Sequence, residues 1–207
     1  SQISFAAYPD SNYPYPSVNY SPFLNTKFYE VYKDVEIVQK AYKEEIISLE
    51  IAEYLYSPNN PIDIKAAIIN SLAQGVDFEG CRGINHILFK YYLALIYKVP
   101  IEKLNVNSLS ADELFCLGYL TFIDTYNRPE KAIPLLEKAA KKRNDSFTIA
   151  IILALVKAEK ELYSNNWSNI WKITEKVLNN KTLKKDMREE AIKIIIDYMI
   201  LYKKYSN

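Results

Sequence analysis

Glycine is scarce in this chain, 4 in 207 residues, and histidine occurs once. Sheets built from hairpins need turn residues between short period-two runs, and from Phe28 onward that pattern is missing, so a β-fold is excluded. Cys81 and Cys116 are the only cysteines. Two are too few for a disulfide framework in a chain this long, and a structural zinc site takes four ligands. The longest uninterrupted apolar run, Ile149 to Val156, falls far short of the ~20 residues that span a bilayer. An excess of either charge is missing too. Lys and Arg number 26 against 25 acidic residues, and the lysines alternate with glutamates, so nothing argues electrostatically for nucleic acid or an anionic membrane. What remains is 49% hydrophobic residues, which excludes general disorder and leaves a soluble helical protein, with the cytoplasm and an export route both open.

The clearest local pattern runs from Ser110 to Arg143. Ser110 with Glu113 three residues on is a capping box, in which the serine hydroxyl accepts from the third helical amide and the glutamate reaches back. Leu114, Leu117, Thr121 and Phe122 recur at helical spacing to about Thr125. Tyr126, Asn127 and Arg128 break the run, and Pro129 opens a second helix. Ala132, Leu136 and Ala139 form its stripe, with Gly118 of the first helix as the bare spot where two backbones approach. Lys138, Lys141, Lys142 and Arg143 close it at the carbonyl end of the dipole. A second unit has similar spacing: Phe147 to about Tyr163, then Trp167 to about Leu178.

These residues resemble a tetratricopeptide repeat. Leu114, Leu117-Gly118, Thr121, Ala132, Leu136 and Ala139 follow that family's order of large, Leu-Gly and large residues, then Ala, large and Ala. Leu114 and Thr121 stand at its tryptophan and tyrosine positions, Asn144 at its proline, Pro134 lies inside the second helix, and Ile152 replaces the glycine in the second unit. The resemblance covers residues 110–180. It implies an all-α fold of antiparallel helical hairpins stacked as a short right-handed superhelix, with a protein- or peptide-binding role and no chemistry. The family lines its concave face with the first helix of each unit. At matching positions that face presents Phe115, Tyr119 and Phe122, then Ile149, Leu153 and Lys157.

Around that unit the chain divides simply. Residues 1–25 interleave Tyr8, Tyr13, Tyr15, Tyr20, Phe5 and Phe23 with Pro9, Pro14, Pro16 and Pro22, a composition expected to stay extended. Its rings, Tyr13, Tyr15 and Tyr20 above all, are expected to lie against the helical domain, which takes up residues 26–207. In that domain Phe28, Val31, Tyr32, Val35, Val38, Tyr42, Ile46, Leu49, Ala52 and Leu55 trace one stripe, expected as one long helix or two joined ones ending near Ser57. Helices follow at about Ile62 to Ala73 and Ile84 to Tyr97. A terminal helix over 183–205 buries Met187, Ala191, Ile194, Ile195, Tyr198 and Leu201 and caps the stack.

Candidates for chemistry are few. His86 lies in a helix beside Ile84, Ile87 and Leu88 without an evident partner and reads as structural. Cys116 has no histidine after it to act as its base. The adjacent carboxylates Glu44-Glu45, Asp112-Glu113 and Glu189-Glu190 point about 100 degrees apart on a helix and read as solvated faces. Lys181, Lys184, Lys185 and Arg188 are interrupted by Asp186, Glu189 and Glu190, which neutralise them. Eighteen tyrosines fit a lineage rich in Tyr, Lys, Asn and Ile, although exposed rings also serve sugar and single-strand binders. The expectation is therefore a non-enzymatic protein- or peptide-binding scaffold without metal or cofactor. The second class is a cell-envelope protein that takes a sugar or peptide in an aromatic-lined cleft.

Overall fold

The computed structural model describes residues 21–75, 83–125 and 128–206, and in these residues ten α-helices follow one another with no β-strand. They are α1 (Pro22–Asn25), α2 (Glu36–Glu44), α3 (Leu49–Tyr56), α4 (Ile62–Leu72), α5 (Asn85–Tyr97), α6 (Ala111–Asp124), α7 (Ile133–Lys142), α8 (Phe147–Tyr163), α9 (Ser168–Leu178) and α10 (Glu189–Met199). The fold is all-α. Helices α6 and α7 pack closely as one hairpin and α8 and α9 as the next, and α7 also packs on α8. Helix α6 lies at the centre, with every residue from Asp112 to Asp124 buried.

Local sequence accounts for several of the helix starts. The Ser110–Glu113 capping box forms in full: Glu113 donates its amide to Ser110 Oγ at 3.1 Å, and the Ser110 amide donates to Glu113 Oε1 at 3.0 Å. Ser146 and Ser48 cap α8 and α3 by the same serine-to-third-amide bond. Pro134 sits in the first turn of α7, where its missing N–H costs nothing, because Pro129–Lys131 forms a separate 3₁₀ turn. At Gly118 an added Cβ would lie 2.9 Å from Leu136 Cγ and 3.1 Å from Leu135 Cβ. The close approach in the hairpin is therefore real, and of the stripe residues it is Leu136, with Leu135 beside it, that fills the space over Gly118.

Three expectations are corrected. Of the two forms expected for the stripe from Phe28 to Leu55, the structure shows two helices ending at Tyr56 and not one, but they start later and are separated: a 3₁₀ turn at Phe28–Tyr32 precedes α2, and Glu45, left-handed at φ 60°, ends α2 before α3 begins. Asn85 stabilises that break, accepting from the Ile47 amide at 2.8 Å and donating to the Glu45 carbonyl at 3.2 Å. Tyr42, Ile46 and Leu49 are consequently about half exposed. The terminal helix starts at Glu189 instead of Leu183, because the preceding segment caps α8. Asp186 accepts from the Thr148 amide at 2.8 Å and the Ser146 hydroxyl at 2.6 Å, and Lys184 pairs its backbone with residues 145 and 147. Leu201, expected to be buried, is exposed in the 3₁₀ turn Ile200–Tyr205.

The third correction concerns the N-terminal arm, of which residues 1–20, Tyr13, Tyr15 and Tyr20 included, lie outside the described residues. Its end is helical. Pro22 takes the first position of α1, Ser21 accepts from the Leu24 amide, and Phe23 is buried against Phe122 with ring centroids 4.9 Å apart. A four-residue helix is unstable alone, and tertiary contacts with α8 and α10 hold this one. Asn70 of α4 fastens the following residues, accepting from the Tyr29 amide at 3.0 Å and donating to the Thr26 carbonyl at 3.1 Å. Arg188 ties the end of the chain to its beginning through two bonds to Asp34, at 2.6 and 3.0 Å, and by stacking on Tyr32 at 4.4 Å. That bidentate guanidinium holds the Asp34 carboxyl below the usual carboxylate range.

Candidate functional site

The six residues expected on a concave face are not exposed together. Phe115, Tyr119, Phe122 and Ile149 are buried in the core. Phe23 covers Phe122, and Asn70 donates to the Tyr119 hydroxyl at 3.2 Å. Leu153 is partly buried, and Lys157 spans to Glu137 of α7 at 3.3 Å. The chain's own α1 packs on α8, and α4 packs on α6 and α8. A partner cannot reach those four side chains without displacing them.

Several titratable groups lie deeper than the sequence suggests. Asp112 and Glu113, expected on a solvated face, are both buried. Asp112 accepts from the buried Lys65 Nζ at 2.7 Å and from Arg143 at 2.9 Å, and the Ser57 carbonyl takes a second Lys65 bond at 2.7 Å. Glu113 accepts from the Tyr97 hydroxyl at 2.8 and 2.9 Å, and desolvation, followed by these bonds, raises the Tyr97 pKa. Glu159 of α8 is fully buried, and desolvation pushes its carboxyl up to about 8 despite bonds from Ser21 Oγ, at 2.5 Å, and the Phe23 amide. Its Oε2 has no hydrogen-bond partner among the described residues.

His86 does have a partner. Its ring Nδ1 meets Asp124 Oδ2, and the same oxygen accepts from the His86 amide at 2.7 Å. The start of α5 has no side-chain cap of its own, so Asp124, at the end of α6, supplies a carboxylate to the helix N-terminus from 38 residues away. Gly83 abuts it: a Cβ there would fall 2.1 Å from Asp124 Oδ1. The arrangement anchors α5 on α6. The Cys116 thiol is buried, with the Leu55 carbonyl at 3.9 Å, and burial pushes its pKa far above the ordinary range. Cys81 lies outside the described residues.

Two surface features carry aromatic or apolar groups suited to binding. A cavity of about 240 Å³ is lined by Tyr29, Lys33, Val38, Gln39, Tyr42 and Lys43. Tyr42, half exposed, stacks on the buried Tyr29 at 5.4 Å and 19°, and burial with that neighbour raises the Tyr29 pKa to about 12. The other feature is α5. Phe89, Leu93 and Ala94 face the core, while Ile84, Ile87, Tyr91 and Leu95 form a stripe on the opposite side, each 45 to 55% exposed. These positions are spaced three or four apart, so they stack on one helical face. No acidic residue occurs between Ile84 and Ile101. Such a helix, apolar all round, is the kind normally covered on both sides.

No family model, curated protein or solved structure matches this chain. The site must be read from its own residues. The α5 stripe was legible in the run Ile84 to Tyr97, whose apolar residues occupy every angle of the helical wheel, whereas the Tyr29–Tyr42 cavity had no sequence signal: Tyr42 lay on the expected core stripe and Tyr29 beside it.

Proposed function

We propose that this protein is a non-enzymatic helical protein-binding module whose contact surface is the outward face of α5, formed by Ile84, Ile87, Tyr91 and Leu95. One observation carries the reading: α5 offers a contiguous apolar stripe to solvent on a helix already anchored from behind. Scattered exposed leucines need no explanation, but an aligned row with an aromatic near its middle matches the composition of interface cores. The hairpins α6–α7 and α8–α9 support a helical-repeat scaffold of tetratricopeptide kind, modified so that its former open face is filled by its own N-terminal third. The partner is a protein or peptide presenting an apolar surface.

The test compares captures by the tagged intact chain. Tyr91→Glu and Leu95→Glu are expected to lose the bound protein, while Lys157→Glu, on another face, keeps it. Identical captures by all three variants would remove α5 as the contact surface.

A second reading has one observation in its favour, the stacked tyrosines and two lysines around the 240 Å³ cavity. That lining suits a small anionic sugar or a peptide carboxylate. Calorimetric titration with such compounds, lost in Tyr42→Ala, would favour it over protein binding.

A further inference from the structure

The occupant of the α5 stripe is open to argument from its symmetry, its area and the charges at its ends. Tyr91 lies midway between Ile84 and Lys98. If two α5 helices meet antiparallel about Tyr91, Ile87 of each faces Leu95 of the other, and Ile84 faces Lys98. From Ile87 to Leu95 the apolar row is therefore complementary to its own inverted copy, as an isologous two-fold interface requires.

The charges agree with that register. Lys98, exposed and left-handed at φ 56°, ends α5, and no carboxylate lies on its own helix. At the other end of α5, Asn85 holds the backbone of the exposed Glu45 at 3.2 Å. An antiparallel partner brings its Lys98 to that end, beside Glu45, and the two-fold repeats the pair. Antiparallel helix dipoles add in the same sense.

The area is sufficient. Helix α3 runs alongside α5, with Tyr56 against Tyr97 at one end and Asn85 on Glu45 and Ile47 at the other. Ile46 and Leu49, both about half exposed, lie within and just after the Glu45–Ile47 segment that Asn85 holds at the N-terminal end of α5. Six half-exposed side chains of this size offer roughly 100 Å² apiece, so two copies bury on the order of 1,200 Å², the lower bound of a standard stable interface.

We propose that α5 is the interface of a homodimer, with Tyr91 at the two-fold axis, Ile87 packed on Leu95 of the second copy, and Lys98 of each copy paired with Glu45 of the other. This rests on the reading of α5 as the contact surface and adds which molecule covers it.

Sedimentation equilibrium of the intact chain between about 1 and 100 μM is expected to give twice the 24.0 kDa chain mass. Tyr91→Glu, which sets two carboxylates against each other on the axis, should raise the dimer dissociation constant by roughly 100-fold or more while the helical circular dichroism of the chain is unchanged. Lys98→Glu and Glu45→Lys should each weaken the dimer by about 10-fold, and their combination should restore it. A chain that stays monomeric to about 100 μM overturns the dimer, as does a dimer indifferent to Tyr91→Glu. A chain that dimerises only after removal of residues 1–20 also overturns it, since those residues would then be the natural cover. Failure of the charge swap to rescue overturns the antiparallel register. A monomeric chain whose capture of another protein is still lost in Tyr91→Glu would leave the α5 contact surface standing and remove only the second copy as its occupant.

Discussion

Glu159→Gln is expected to stabilise the protein at neutral pH, against the usual direction of substitutions in a core. Glu159 is fully buried and its carboxyl titrates near 8 in the fold, against about 4.3 in an unfolded chain. Between those values the folded state holds a proton that the unfolded state has released, so stability falls as pH rises. The carboxyl's contribution is complete below about pH 4, is lost progressively through the folded value near 8, and is constant above it. With 1.36 kcal/mol per unit, the loss is on the order of 4 kcal/mol at pH 7. Glutamine keeps the shape and an oxygen that can accept from Ser21 Oγ and the Phe23 amide, but it carries no proton to lose. Chemical denaturation of both proteins from pH 4 to 9 measures the difference. The two should match near pH 4, and the variant should gain by up to about 4 kcal/mol at pH 7. A stability gap independent of pH, or one that favours the wild type increasingly with pH, would refute the burial argument.

Gly118→Leu should cost about 1–3 kcal/mol, because Leu136 and Leu135 already occupy the space a side chain needs. A denaturant midpoint at or above that of the wild type would contradict the close helix approach. Asp112→Ala should destabilise by about 3–5 kcal/mol by leaving the Lys65 ammonium buried with only the Ser57 carbonyl; urea melts check it, and a loss below 1 kcal/mol would mean that water reaches Lys65. Asp124→Ala removes the borrowed cap of α5 and should cost about 1–2 kcal/mol, with faster hydrogen exchange at the His86 amide in particular. Unchanged exchange there would show that α5 does not depend on Asp124.

The helices legible in sequence were those whose signals are local. Ser110 with Glu113 acts within one turn, and α6, α8 and α9 fall within a residue or two of where the periodicity puts them, while α7 begins at Ile133 after the separate 3₁₀ turn that Pro129 opens. The misplaced boundaries have distant causes. The break at Glu45 depends on Asn85, the late start of α10 on Asp186 capping α8, and the partner of His86 on the last residue of α6. The face expected for binding failed to stay open for the same reason, since what covers Phe122 is Phe23.

Composition and periodicity by themselves determined that the chain is helical, where its strongest helices begin, and that successive helices form hairpins, because caps and apolar spacing act through neighbouring residues. Tertiary structure decided which apolar face is core and which is surface. An amphipathic stripe says only that a helix must be covered, and the covering group can lie anywhere in the chain: Ser21 and Glu159 meet across 138 residues. Along α5 the chain supplies a cover for one face and leaves the other, Ile84 to Leu95, to solvent.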